Sequence, residues 1–118
     1  MAYDEELAGR VRELLLDERG LSEVPMFGGL AFLINGNMSV AVSSQGGLLV
    51  RIEPDTTEEA LSREHVSLME MGKRQMRGWI RVAPEGVRGK RELGAWVRRG
   101  VAFAHTLPAK EETRRQRT

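Results

Sequence analysis

The sequence predicts an α+β fold in two layers, a mostly antiparallel sheet of four or five strands with a meander core, packed with an N-terminal and a C-terminal helix. Three observations carry this expectation. Apolar residues recur every three or four positions near both ends of the chain, they alternate one by one through its middle, and Gly, Asn and Pro punctuate the alternating stretch. At 118 residues, with 41% apolar and 30% charged residues, the chain has the length of one domain and enough apolar surface for one core. A single domain is expected over 1–109. The tail 110–118 is polar throughout, so disorder is expected there.

The first helix is expected from Asp4 to Arg19. Leu7, Val11, Leu14 and Leu15 share a face, Asp4, Glu5 and Glu6 suit the positive end of the helix dipole, and Gly20 is placed as the C-cap. Pro25 keeps the following stretch extended. Leu30, Phe32 and Ile34 then alternate with Ala31 and Leu33, and Met38, Val40 and Val42 alternate with Ser39, Ala41 and Ser43 beyond the turn residues Asn35-Gly36-Asn37. Pairing Ile34 with Met38, Phe32 with Val40 and Leu30 with Val42 keeps the larger side chains on one face, which predicts a three-residue loop. A second turn from Ser43 to Gly47 sets Leu48, Val50 and Ile52 opposite Val42, Val40 and Met38.

Pro54 ends the third strand of this meander, and Asp55 with Glu58 forms the pattern of a capping box for a short helix to about Arg63. Val66 to Met76 is methionine-rich and ambiguous. Trp79 to Val82 alternates as a further strand, stopped by Pro84-Glu85-Gly86. From Lys90 to Ala104, Leu93, Trp96, Val97, Val101 and Ala104 mark the last amphipathic helix, closed by Pro108. If Leu30, Phe32, Val40, Val50 and Ile80 face the helices, the other sheet face carries Ala31, Leu33, Ala41, Leu49 and Trp79 beside Arg51 and Arg81. That face is too apolar for simple solvation, so a helix, a second copy or a partner is expected to cover it.

Composition excludes several chemistries. Without cysteine there is no disulfide framework, thiolate nucleophile or cysteine-ligated metal. The acidic start Met1 to Glu6 lacks the features of a secretory signal, and no stretch reaches the length of a membrane span, which points to a cytoplasmic protein without membrane contact. His65 and His105 stand far apart and outside any metal-ligand spacing; a two-His site with Glu64 or Glu70 is the weaker alternative to two surface histidines. The serines form no Gly-x-Ser-x-Gly elbow. Met26-Phe27-Gly28-Gly29 feeds a strand rather than a helix, which favours a tight strand entry with Met26 and Phe27 plugging the core over a phosphate loop, and Gly46-Gly47 reads as hairpin residues. No catalytic, cofactor-binding or metal residue is assigned.

Charge is uneven along the chain: residues 1–72 hold 5 Lys/Arg against 13 Asp/Glu, and residues 73–109 hold 9 against 2. This suits either complementary surfaces that meet within the fold or across a dimer, or a basic surface for nucleic acid built from Lys73, Arg74, Arg77, Arg81, Arg88, Lys90, Arg91, Arg98 and Arg99. Trp79 and Trp96 read as buried or half-buried, which weakens the case for base stacking. Met69, Met71 and Met76 suit either core filling or an adaptable hydrophobic rim.

The run Met26-Phe27-Gly28-Gly29-Leu30-Ala31-Phe32-Leu33-Ile34-Asn35-Gly36-Asn37-Met38 closely resembles the signature of the TfoX N-terminal-domain family, known from TfoX/Sxy competence regulators. The similarity continues through Gly47-Leu48-Leu49-Val50-Arg51, Met69-Glu70-Met71-Gly72 and Met76-Arg77-Gly78-Trp79 to the helix around Trp96. It implies a two-layer α+β fold, a stand-alone member without the family's usual C-terminal domain, and a link to regulation of DNA uptake or transcription. It implies no catalytic residue. The expectation is therefore a non-enzymatic regulatory or protein-interaction domain without cofactor, dimeric or bound to an unidentified protein through Leu33, Leu49, Arg51, Met69, Met71, Met76, Trp79 and Arg81. The alternative is direct nucleic-acid binding through the Lys73 to Arg99 region.

Overall fold

Alternation in the centre of the chain becomes a six-stranded antiparallel sheet in the computed structural model, which describes residues 3–26, 28–71 and 74–109, without the side chains of 71 and 74–76. The order along the chain is α1 (Glu5–Leu14), β1 (Leu21–Met26), β2 (Gly29–Ile34), β3 (Asn37–Val42), β4 (Leu48–Arg51), a 3-10 turn (Pro54–Thr56) leading into α2 (Thr57–Leu61), β5 (Val66–Met71), β6 (Arg74–Val82), a second 3-10 turn (Pro84–Val87) and α3 (Lys90–His105). Across the sheet the strands lie β1-β2-β3-β4-β6-β5. The α+β architecture stands as expected, with six strands in place of four or five. The expectation for the tail falls outside the described residues.

The two additional strands are β1 and β5. β1 exposes Ser22, Glu23 and Pro25 and pairs only with β2, so backbone hydrogen bonds rather than an apolar stripe define it. β5 pairs with β6 from Val66↔Val82 to Leu68↔Ile80, then shifts register to Met69↔Met76. The apolar Leu68 and Met69 stand next to each other at that shift, which interrupts the period of two in the sequence.

The β2–β3 hairpin corrects the expected loop. Ile34 pairs with Asn37, not Met38, across a two-residue turn in which Asn35 (φ 52°) and Gly36 (φ 83°) are both left-handed. The pairs Phe32↔Val40 and Leu30↔Val42 are nevertheless those expected, because a bulge at Ser39 absorbs the odd residue. Ser39 is fully buried and its hydroxyl donates to the Phe32 carbonyl at 2.8 Å. The β3–β4 pairs Val42↔Leu48 and Val40↔Val50 also match expectation, but the ladder stops there and the Ile52 N–H donates instead to Gly78 at 2.8 Å.

Asp4 caps α1 by accepting from the Glu6 and Leu7 N–H groups. The helix ends at Leu14, short of the expected Gly20 cap, since Leu14 and Leu16 find nothing to pack on and stay exposed. Gly20 (φ 75°) instead turns the chain into β1, and its carbonyl accepts the Asn35 N–H. The expected capping box at Asp55 is likewise absent: Pro54 starts a 3-10 turn, and the Glu58 side chain turns to Arg77.

Two rows of side chains face the helices, Leu30-Val42-Leu48-Val82-Val66 and Phe32-Val40-Val50-Ile80-Leu68. They join Leu7, Val11, Ala60, Leu93, Trp96, Val97 and Val101 in one core. Full burial of side chains the size of Phe32, Ile80 or Leu93 contributes roughly 1.5–3 kcal/mol each. Close packing is visible at Gly100, where a Cβ would run into the Ser39 carbonyl.

Candidate functional site

The buried side chains of Leu7, Val11, Ala60, Leu93, Trp96, Val97 and Val101 join that one core, so the three helices pack on one side of the sheet. Register places Val24, Ala31, Ala41, Leu49, Arg81 and Ser67 in a continuous row across all six strands of the open side. Ala31 and Ala41 are buried beneath their longer neighbours, while Leu33, Leu49, Trp79, Arg51 and Arg81 are half-buried. A concavity of about 510 Å³ opens here, lined from Met26 on β1 to Glu70 on β5. Lining from both edge strands means that the sheet curls toward this side. Met38, Leu49 and Met69 give the concavity apolar walls, and Ser43, Gln45 and Ser67 give it polar ones.

Two arginines of this face have different surroundings. Arg81 donates through Nη2 to the carbonyls of Gln45 and Gly46, both at 2.8 Å, and its Nε is buried without an acceptor among the described residues. Its charge is thereby pinned to the β3–β4 turn. Gly46 (φ 92°) and Gly47 (φ 82°) make that turn, as expected. Arg51, opposite Trp79 in the β4–β6 ladder, lies 5.0 Å from the Trp79 ring centroid and 5.6 Å from that of Phe103. Burial pushes its pKa below the ordinary guanidinium value.

The expected interaction residues Leu33, Leu49, Arg51, Met69, Trp79 and Arg81 thus fall on or line one face. The side chains of Met71 and Met76 lie outside the described residues. Met26 corrects an expectation: it lines the open concavity instead of plugging the core, because the β1–β2 hairpin closes at Met26↔Gly29 with Gly28 left-handed (φ 79°). Phe27 lies outside the described residues. Sequence reasoning missed Met38, turned to the open side by the bulge, and Phe103, whose helical position carries no sign of its contact with Arg51.

The basic set is dispersed and partly neutralised. Arg77 pairs with Glu58, and Arg99 pairs with Glu59 at 2.6 Å, with Arg63 on the same carboxylate at 3.0 Å. These contacts hold both carboxyls below their usual range, Glu58 through Arg77 and Glu59 through Arg99 and then Arg63. Arg63 and Arg99 also flank the buried Trp96. Arg88, Lys90, Arg91 and Arg98 are exposed; Lys73 and the side chain of Arg74 lie outside the described residues. His105 pairs with Glu18 at 3.0 Å, and the structure brings neither histidine into a group of three potential metal ligands among the described residues. No helix among them is long and apolar enough to cross a membrane.

An antiparallel sheet with helices on one face and an apolar, arginine-bearing concavity on the other defines an open-faced α+β domain. Residues 13–104 match the family model described as the TfoX N-terminal domain, and the chain belongs to that family. No curated protein and no solved structure matches the chain.

Proposed function

We propose that this chain is a non-enzymatic regulatory domain that works through protein contacts, made by the open face of the sheet. The carrying observation is the half-buried set Leu33, Leu49 and Trp79, which lies outside the core that the helices cover. Apolar surface of this kind marks interaction sites more often than solvated ones. A second copy of the chain is the first partner to test, as two-fold dimers are the commonest assemblies of soluble proteins. The serine hydroxyls of Ser39 and Ser62 donate to backbone carbonyls, which fits structural rather than nucleophilic use.

Sedimentation of the purified protein at low and high salt, alone and with short duplex DNA, tests the reading. The expected result is a dimer insensitive to salt and indifferent to DNA, which Leu49→Asp converts to a folded monomer. A monomer that moves with DNA only at low salt sinks the protein-contact reading and favours the exposed Arg88, Lys90, Arg91 and Arg98 as a phosphate surface.

A further inference from the structure

The two edges of the sheet are finished differently. At β1 the Asn35 N–H donates to the Gly20 carbonyl at 3.0 Å, so by antiparallel alternation Leu21, Glu23 and Pro25 turn their main-chain groups away from β2. Pro25 has no N–H to offer there, and Glu23 brings a charge that Arg12 of α1 holds at 2.6 and 2.9 Å. Proline and charge are common means by which an edge strand is kept from pairing. At β5, the outermost strand on the other side, the Ala83 N–H donates to the His65 carbonyl at 2.8 Å. By the same alternation Val66 and Leu68 turn their N–H and C=O groups outward, while Ser67 turns its own toward Arg81 on β6. Neither proline nor charge stands at Val66, Ser67 or Leu68, and no other described residue bonds to the outward groups. The side chains of Val66 and Leu68 are half-buried and end the two apolar rows that face the helices, whereas Ser67 is exposed on the open side.

We propose that β5 is a self-pairing edge, at which a second copy of this chain adds its own β5 antiparallel about a two-fold axis through Ser67. Val66 of each copy then exchanges both main-chain bonds with Leu68 of the other. The axis stands perpendicular to the sheet, so both copies keep their helices on the same side. Each apolar row thereby runs on into the other row of the second copy, Val82-Val66 into Leu68-Ile80. The edge is thus complementary to itself, as a two-fold contact requires. A head-to-tail contact would have to use β1, where Pro25 withholds a donor, so pairing closes at two copies instead of running on into a filament. This contact is separate from the open-face reading. Only Val66 to Leu68 of each strand takes part, which makes it smaller than an interface of standard size, so it joins chains at higher concentration than the open face does.

Cysteine cross-linking tests the edge, because the chain has no cysteine of its own. In the proposed pair the two Ser67 residues stand opposite each other without exchanging main-chain bonds, with Cα atoms about 4.5 Å apart, inside disulfide range. Ser67→Cys is oxidised at rising protein concentration in the parent chain and in Leu49→Asp, beside Ser22→Cys as the control for an exposed serine on β1. The expected result in both backgrounds is a disulfide-linked dimer from Ser67→Cys that forms well ahead of any from Ser22→Cys. Sedimentation over a concentration series gives the second readout. Ser67→Glu sets two carboxylates on the axis and should weaken the high-concentration association of Leu49→Asp by about tenfold, with its melting temperature unchanged. Equal cross-linking of the two cysteine variants, or association that Ser67→Glu leaves intact, overturns the proposal and leaves the open-face reading untouched. Preferential cross-linking at Ser67 in a parent that sediments like Leu49→Asp at every concentration supports the edge and removes the second copy from the open face.

Discussion

The hydroxyl of Ser39 donates across the ladder to the carbonyl of Phe32 at the residue where β3 carries one position more than β2. Removing the hydroxyl deletes this buried hydrogen bond, so Ser39→Ala is expected to cost about 0.5–1.5 kcal/mol in urea unfolding, although the residue touches no ligand. Gly100 faces the same bulge from α3, and its lack of a side chain lets the helix settle onto the Ser39 carbonyl. Trp79 is a different case. It is half-buried and outside the core cluster, so Trp79→Ala should remain folded and cost less than the roughly 3–5 kcal/mol of a truncated core aromatic, while self-association is lost. A full core-sized loss with unchanged sedimentation places Trp79 in the core and removes the open face as its role.

At the scale of elements, the short helix α2 buries Ala60 in the core and carries ion pairs on its exposed side. Glu58 reaches Arg77 on β6 and Glu59 reaches Arg99 on α3, while a third pair, Arg12 with Glu23, ties α1 to the edge strand β1. All three carboxyls are held below the usual range by these hydrogen bonds, Glu23 through Arg12. The folded chain therefore binds these protons less readily than the unfolded one. Their contribution is present above the unfolded carboxylate pKa of about 4.3 and is lost as pH falls through the lower folded values. Melting temperature should accordingly drop below about pH 4.3, with a smaller drop in Glu59→Gln and, because the groups are exposed, a smaller one in high salt. The β2–β3 hairpin is governed instead by backbone geometry. At φ 83°, Gly36 should resist Gly36→Ala by about 1–2 kcal/mol, and melting would read it. Such elements differ in how far the sequence discloses them. Alternation around Phe32 and Val40 made the meander legible, and Asn35-Gly36 marked its turn; the length of that turn was not legible, because a bulge and a longer loop produce the same facing pairs. In β1 the sequence around Glu23 and Pro25 carries almost no apolar signal, since an edge strand is held by one neighbour's backbone.

Over the whole molecule, the acidic first half and basic second half meet within the fold where α2 lies between β6 and α3. The charge counts made such a meeting legible, but not its partners, which are set by the topology that carries Glu58 and Glu59 to Arg77 and Arg99. The open face was similarly legible as a set of alternating positions, whereas the contact of Arg51 with Phe103 depends on where a distant helix ends. Internal pairing has a consequence for nucleic acid that separates the two functional readings. Of the basic set described, Arg88, Lys90, Arg91 and Arg98 are exposed outside these pairs, and as phosphate contacts these four would together contribute about −4 to the slope of log affinity against log salt. Removing both carboxylates of α2 in a Glu58→Gln, Glu59→Gln variant frees Arg77 and Arg99, and the slope should steepen by about 2 if the acidic helix is what masks them. Fluorescence anisotropy with a labelled duplex at several salt concentrations reads both quantities. If the parent already shows the steeper slope, DNA competes successfully with Glu58 and Glu59 for their arginines, and the basic half is the functional surface of the chain.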